Sequence, residues 1–263
     1  MSLKVLDFYQ FLDTLAPLRI AEKKDSNGLQ IGSFEAVVSG IVLAVNPSLS
    51  LFKEAVKRGY NLIITHHPLF YQPLYFLHWD EYPGNLISFA VENKLNLLSW
   101  HTPLDKISFG VSEALAKALD FETEDFVLKE EEGFGYGKVV KLKNCVKLEA
   151  LAKKIKETLN TWVMLVGDPD KEVEKIAICG GAGGFLKEYL KGKGINTLIT
   201  SDVKYHQAFS ALEEGFNFIL IDHGISESFV LRVLKEKIEN FLAEKKVNLG
   251  IYLHKEESPY KII

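Results

Sequence analysis

Cysteine is scarce in this chain, and thiol motifs are missing. The only two cysteines are Cys145 and Cys179, and neither belongs to a CxxC pair. A disulfide framework and a thiolate zinc site are therefore not expected, and a reducing compartment fits this composition. No apolar stretch approaches the length of a membrane-spanning helix, and the first residues lack the regions of a secretory signal. We expect a cytoplasmic protein without a membrane partner.

An excess of positive charge is also absent. The 263 residues carry a formal net charge of -4. Domains that bind nucleic acid usually carry a basic excess, so nucleic acid is not expected as the main partner. The chain is 47% hydrophobic and 25% charged, which is typical of a globular protein that buries a real core.

Short apolar runs alternate with amphipathic segments along most of the chain. Runs that stop at glycine or polar residues predict buried strands, and the segments between them predict helices. The strands are predicted over 29–32, 40–45, 61–65, 95–99, 162–166, 176–179, 196–200, 217–221 and 249–252. Residues 123–143 are rich in Glu, Gly and Phe and predict a connector with a β-hairpin. The alternation predicts an α/β fold with two α/β domains, right-handed βαβ units and mostly parallel sheets.

Polar side chains suited to metal binding follow four of the predicted strands. They are His66 and His67, then His101 and Asp105, then Asp202 and His206, and finally Asp222, His223 and Glu227. Open α/β sheets place their chemistry at the carboxyl ends of strands, so this clustering indicates a functional site. The alternative for the His66–His67 pair is a solvated strand tip. Pro103 separates His101 from Asp105 and predicts that the two share a loop rather than a helix face.

Two of these pairs have a spacing of four residues. His223 and Glu227 lie on one helix face if a helix begins near Gly224, which favours one shared target. The alternative is a helix cap with an exposed glutamate. For Asp202 and His206, the favoured interpretation is an N-cap aspartate followed by a pocket-lining or surface histidine.

These imidazoles and carboxylates are enough to bind two divalent ions at the strand ends. The ligand types suit Zn, Fe, Mn, Co or Ni, and suit Ca poorly. A carboxylate can bridge two ions about 3.5–4 Å apart, and we assign that bridge to Glu227. Because His66 and His223 are distant in sequence, both ends of the chain must contribute to the site. Residues 1–124 with 222–263 are therefore predicted to form the metal-binding domain, and 125–221 an inserted second domain.

Several segments together resemble a known family. They are Asp25–Gly32, Ile64–Phe70, His101–Asp105, Cys179–Gly183, Thr200–His206 and Asp222–Glu227, in that order. The combined pattern spans nearly the whole chain and is similar to the GTP cyclohydrolase 1 type 2 homologues, relatives of the yeast NGG-interacting factor. The chain departs from that pattern at Pro73–Phe76, where relatives often carry a basic residue. This departure argues against phosphate binding by that segment.

The resemblance implies two α/β domains around a dinuclear metal site, in a ring-shaped homohexamer. The implied metal ligands are His66, His67, Asp105, His223 and Glu227. The resemblance also implies that His101 lies beside the metals.

The favoured hypothesis for function is a metal-dependent hydrolase. Two ions would activate water against a nucleotide or another phosphorylated heterocycle, as the name GTP cyclohydrolase suggests. His101 is the predicted general acid/base, and His206 is a weaker candidate for that role.

Two alternatives come from other protein classes. One is a regulatory or scaffold protein without turnover, whose partner surface includes Trp79, Tyr82 and Trp100. The other is a dinucleotide-binding oxidoreductase, suggested by the glycine run 180–184. The GxGxxG pattern fails at Leu186, which argues against the oxidoreductase. The glycine run before a helix could still bind an anion such as a substrate phosphate.

Overall fold

The chain forms two compact units. The computed structural model describes residues 2–255 and 257–262. Unit 1 comprises Met1–Leu104 and Leu231–Glu256, and unit 2 comprises Asp105–Val230 and Glu257–Ile263. The domain boundaries inferred from the sequence, 1–124 with 222–263 and 125–221, stay a prediction.

Unit 1 is built around a five-stranded sheet. Its strands are β1 (Gly28–Ile31), β2 (Ile41–Ala44), β3 (Leu62–Thr65), β4 (Asn96–Ser99) and β11 (Ile251–Leu253). Its helices are α1 (Val5–Leu15), α2 (Leu49–Arg58) and α3 (Gly84–Glu92), with a 3-10 turn at Leu18–Ile20. The strand order is β1-β4-β3-β2-β11, and only the edge strand β1 pairs antiparallel. The predicted parallel pairing is thus confirmed for this sheet.

The apolar runs form strands here because they are covered on both faces. Every residue of β2, β3 and β4 is buried, as expected for parallel strands that read as continuous apolar runs. Helix α2 packs Leu51, Phe52 and Ala55 into the core of this unit. The hydroxyl of Ser48 accepts a hydrogen bond from the Leu51 amide and starts the helix, and Gly59 ends it with φ +70°.

The register of the parallel strands brings the unit 1 histidines to one edge. The backbone amide of His66 donates to the Ala44 carbonyl, and that of His67 donates to the Val45 carbonyl. The strand pairing therefore continues past β3 and fixes the backbone of both histidines. Strand β4, parallel to β3, ends at the same edge and leads to His101.

Unit 2 contains a six-stranded mixed sheet. Its strands are β5 (Thr123–Glu131), β6 (Phe134–Lys147), β7 (Val163–Val166), β8 (Glu172–Ile178), β9 (Thr197–Thr200) and β10 (Asn217–Ile221). Its helices are α5 (Val111–Ala118), α6 (Leu148–Leu159), α7 (Lys187–Leu190) and α8 (Tyr205–Glu213), with a 3-10 turn at Gly184–Leu186. The strand order is β5-β6-β8-β9-β10-β7.

Pairing in this second sheet differs in part from the expectation of parallel strands. The predicted hairpin is confirmed as β5 and β6, and β8, which follows α6 and β7 in the chain, pairs antiparallel with β6. Only β8, β9 and β10 run parallel, and β7 closes the edge antiparallel to β10. The carboxyl ends of the three parallel strands carry Cys179, Ser201 and Asp222, so these segments share one edge.

Two helices begin at or directly after a predicted site residue. Helix α4 (Thr102–Lys106) occupies the segment that was predicted as a loop between His101 and Asp105, so that prediction was wrong. Pro103 is tolerated there because the amides of the first helical turn need no intrahelical partner. Helix α9 (His223–Lys245) begins one residue before the expected start at Gly224.

The helices were compared with the length and hydropathy that a membrane-spanning helix needs. Within residues 2–255 and 257–262, none is both long and apolar enough to cross a bilayer.

Candidate metal centre

Unit 1 brings three of the predicted site histidines together. His66, His67 and His101 each offer a nitrogen atom, and these atoms lie within 4.8 Å of one another. The ring centroids are 5.1 Å apart for His66–His67 and His66–His101, and 5.4 Å apart for His67–His101. His66 is fully buried, and the other two are partly exposed. A cluster of imidazoles at this separation could hold a metal ion.

The two adjacent histidines are oriented through their Nδ1 atoms. His66 Nδ1 lies 3.1 Å from the backbone carbonyl oxygen of Trp100, which can only accept, so this nitrogen carries the proton. His67 Nδ1 lies 2.7 Å from the side-chain oxygen of Asn46. A hydrogen bond from Nδ1 to a fixed oxygen is the arrangement that orients a histidine to bind a metal through Nε2.

His101 is oriented in the same way by a carboxylate. Its Nδ1 lies 2.8 Å from Asp25 Oδ1, while Thr102 and Asn27 donate to the other Asp25 oxygen. Burial alone would raise the pKa of Asp25, but the hydrogen bonds from His101, Thr102 and Asn27 outweigh it and hold the pKa well below its usual value. Asp25 is therefore a permanent anion that fixes the His101 ring.

Unit 2 places His223 and Glu227 on the first turns of α9. His223 Nε2 lies 3.0 Å from Glu227 Oε1, and His223 Nδ1 lies 2.5 Å from Asp202 Oδ2. Burial lowers the pKa of His223, but the hydrogen bonds to Asp202 and Glu227 outweigh it and raise the pKa to about 10. The two side chains therefore lie side by side on α9, while a shared metal target stays a prediction. Glu227 is buried rather than exposed, so the helix-cap alternative does not describe it.

The Asp202 assignment from the sequence was wrong. Asp202 does not cap α8, because the N-cap position is Lys204, and its carboxylate accepts the proton of His223 Nδ1 instead. The aspartate that caps a helix is Asp222, whose Oδ1 accepts from the Ile225 amide at 3.0 Å. Asp222 thereby sets where α9 begins and which way its first residues point.

The glycine run after β8 gives Glu227 its space. Gly181 adopts φ +67°, and a Cβ at this position would overlap Glu227 Oε1. Its amide donates to Ser226 Oγ at 2.9 Å, and its carbonyl accepts from Thr200 Oγ1 at 2.9 Å. The loop is thus hydrogen-bonded to both α9 and β9, and only glycine allows the close approach to Glu227.

The same contacts argue against a phosphate role for this loop. The amides of Gly181 and Gly183 are both used internally, the latter by Thr200 Oγ1 at 2.8 Å. The loop leads into a 3-10 turn and a helix of four residues, Lys187–Leu190, rather than the long helix of a dinucleotide fold. Asp202, near the position of the ribose-binding acid, is paired with His223.

Asp105, the remaining predicted ligand, lies half-buried near the end of α4 in unit 2. Burial, together with the nearby carboxylates of Asp105 and Glu227, raises the pKa of the Cys179 thiol to about 12. Both acidic residues therefore lie in the surroundings of Cys179, which stays protonated near neutral pH.

Other predicted residues belong to neither group. His206 lies exposed on α8. Trp100 is fully buried and donates through Nε1 to the Ala16 carbonyl at 2.7 Å, so it is a core residue and not part of a partner surface. The supporting residues Asp25, Asn46 and Asp202 were not recognised as partners of the histidines. Asp25 entered the sequence analysis only as part of the family-like segment Asp25–Gly32, with no role assigned to its carboxylate.

The fold and these side chains define an α/β protein with candidate metal-binding histidines and carboxylates. A profile of the family described as Duf34/NIF3 (NGG1p interacting factor 3) matches residues 3–259. The chain therefore belongs to this family, which confirms the resemblance seen in its motifs.

Relatives and solved structures agree with this assignment. A Helicobacter pylori protein named GTP cyclohydrolase 1 type 2 is 31% identical over 230 residues, covering 88% of this chain and 89% of the relative. A Clostridium acetobutylicum protein named GTP cyclohydrolase 1 type 2 homolog is 29% identical over 266 residues, 99% of each chain. The crystal structure of a Staphylococcus aureus hypothetical protein matches with a TM-score of 0.94, 27% identity and full coverage of both chains. A Bacillus cereus protein related to NIF3 shares the fold, with a TM-score of 0.95 at 20% identity, over 100% of this chain and 99% of its own.

The Gly181 geometry generates a test with a matched control. In Gly181→Ala, the new methyl group should displace the Glu227 carboxylate and lower the amount of metal that the purified protein retains. Gly192 has φ +77° but open space around it, so Gly192→Ala meets only the backbone cost of about 1–2 kcal/mol. Elemental analysis and urea unfolding separate the two effects. Equal metal contents in the two variants would show that Glu227 does not depend on this contact.

Proposed function

We propose that this protein is a hydrolase that binds two divalent metal ions and acts on a nucleotide or another phosphorylated heterocycle. The proposed ligands are His66, His67, Asp105, His223 and Glu227, with Glu227 as the bridge. The observation that carries the proposal is the pairing of each site imidazole, through Nδ1, with a fixed oxygen atom. This is the arrangement in which a metal-binding histidine presents Nε2 to an ion.

The donor set fits the ions that we predict. Imidazoles with carboxylates suit Zn, Fe, Mn, Co or Ni, and His223 would release its proton to such an ion. Bound ions of this kind supply Lewis acidity, which lowers the pKa of water and neutralises negative charge that develops during hydrolysis. Asp25, Asn46 and Asp202 act as positioning residues, because each holds one imidazole ring in a single orientation.

His101 is proposed as the general acid/base. Its Nδ1 proton is held by Asp25, so Nε2 is the atom that would take a proton from water or deliver one to the leaving group. His206 remains a second candidate for proton transfer. Its side chain lies exposed on α8 and is therefore accessible to a substrate.

The metal ligands are tested by loss of metal. Replacing His66, His67 or Glu227 in His66→Ala, His67→Ala and Glu227→Gln should lower metal content from two ions per chain and abolish metal-dependent turnover. His78→Ala is the control, because His78 is exposed and is not one of the proposed ligands. The measurements are elemental analysis and a screen of nucleotides and phosphoesters. Unchanged metal content and turnover in the three ligand variants would refute the proposed centre.

The role of His101 is tested separately. In His101→Ala, metal content should stay at the wild-type level while turnover falls by about 10²–10⁴, the usual contribution of acid–base catalysis. Loss of metal in this variant would instead make His101 a ligand. Turnover equal to that of wild type would remove it from the mechanism.

A regulatory or scaffold role is the second candidate function. The segment between β3 and α3 exposes several large side chains to solvent: Tyr71, Leu74, Tyr75, Phe76, Trp79 and Tyr82. Exposed apolar patches of this kind commonly mark partner surfaces. If no substrate is turned over and metal removal only unfolds the protein, this alternative is favoured over the hydrolase.

The homohexamer implied by the family resemblance is also proposed for this chain. It is supported by Tyr205, Phe209 and Leu212, which follow one side of α8 and are 85%, 56% and 52% exposed. Contact between copies would cover such a row. Light scattering should give a mass of six chains of 29.7 kDa each. A mass that stays at one chain across the accessible concentration range would contradict the assembly.

A further inference from the structure

A cavity of about 1100 Å³ opens in unit 2 at the edge that carries His223. Its walls come from the segments that follow β8 and β9, from the start of β7, and from the last described residues of the chain. This is the carboxyl end of parallel strands, where α/β sheets usually bind ligands. The volume is large enough for a ligand of nucleotide size. One wall is formed by Asp202, the partner of His223.

Aromatic rings line the cavity at two places. Trp162 is held in place because its Nε1 donates to Asp222 Oδ2 at 3.3 Å and its ring meets the edge of the Tyr260 ring at 6.1 Å. Phe185 contributes a second, partly exposed ring. Aromatic rings on the wall of a cavity favour a flat ring compound, which can stack on them.

The charge on the cavity walls is positive although the whole chain is acidic. Lys156, Lys204 and Lys261 line the cavity, and none of them forms an ion pair within residues 2–255 and 257–262. Among the described residues, Asp202 is the only carboxylate on the walls, and it already accepts the His223 proton. A local excess of lysine in a cleft attracts anions and raises their local concentration.

We propose that this cavity binds the substrate as a planar aromatic ring that carries a phosphate group. The ring lies against Trp162 and Phe185, and the lysines contact the phosphate. The inference rests on the proposed function, because it identifies the place where the substrate of the metal centre is recognised. Under this proposal, Lys204, Lys261 and Phe185 contribute to substrate specificity. The residues next to them in the sequence give no sign of that role.

The test measures binding, not turnover. Isothermal titration of the full chain uses three probes: GTP, guanosine and inorganic triphosphate. Because ring and phosphate bind together, GTP should bind at least roughly tenfold more tightly than either fragment. Higher salt should weaken the binding of GTP and triphosphate but not that of guanosine. Failure of all three probes to bind would overturn the inference.

Two matched pairs of variants separate charge from stacking. Lys204→Gln combined with Lys261→Gln should weaken GTP binding roughly tenfold, while Lys171→Gln, outside the cavity, should leave it unchanged. Phe185→Ala should weaken guanosine and GTP binding, while Tyr189→Ala, equally exposed but outside the cavity, should not. Equal affinities within both pairs would overturn the inference.

Failure of this inference can be distinguished from failure of the proposed function. Glu227→Gln should keep the cavity and still bind guanosine, even though it loses metal. If the cavity variants weaken binding and no substrate is turned over, the binding site stands and the hydrolase fails. If metal-dependent turnover is found but the cavity variants bind and react like wild type, the cavity is not the substrate site.

Discussion

The imidazoles of this protein depend on oxygen atoms that hold their Nδ1 nitrogens. A histidine ring can rotate and can carry its proton on either nitrogen, so a ring without such a partner would present an undefined atom to a metal or a substrate. Asp25, Asn46, Asp202 and the Trp100 carbonyl remove this freedom. The strand register in unit 1 and the glycine loop in unit 2 then determine where these oxygens and rings lie.

Strand register supplies most of that alignment. Parallel strands end at a common edge, and the backbone bonds of His66 and His67 continue the pairing with β2 by two residues. In the middle of a strand, two neighbouring side chains would point to opposite faces of the sheet. His66 and His67 instead lie where the chain leaves the sheet, so both side chains can turn toward the same space. In unit 2, helix α9 positions the site residues. Asp222 fixes the first turn of the helix, and the four-residue spacing then places His223 beside Glu227.

The sequence predicted much of this architecture but not the partners of the site residues. Buried strands such as β3 and β10 could be found because each is an uninterrupted apolar run between breakers. The four strand ends could be found because histidines and acids followed them. The pairing of Asp25 with His101 joins residues far apart in the chain, and nothing in the neighbouring sequence indicates that Asp25 would contact a histidine. Asp202 was misassigned because its true partner lies after the next strand, whereas a helix that it could cap follows directly.

The glycine run 180–184 and Pro103 have roles in the structure that differ from those the sequence indicates. The run 180–184 suggests a dinucleotide or anion site, yet in the structure Gly181 makes room for the Glu227 carboxylate and uses its amide to bind Ser226. Pro103 predicts a loop between His101 and Asp105, whereas in the structure it lies in the first turn of α4. In both cases a local rule allowed two outcomes, and contacts with distant residues decided between them.

The attachment of the chain's last described residues has a practical consequence. Ser258 Oγ donates to Asp222 Oδ2 at 2.5 Å and accepts from the Tyr260 amide, so this short tail is tied to the residue that starts α9. An affinity tag fused after Ile263 would follow directly on Tyr260 and Ile262, which line the cavity. Recombinant protein intended for ligand studies is therefore better tagged at the other end, or freed of its tag before use.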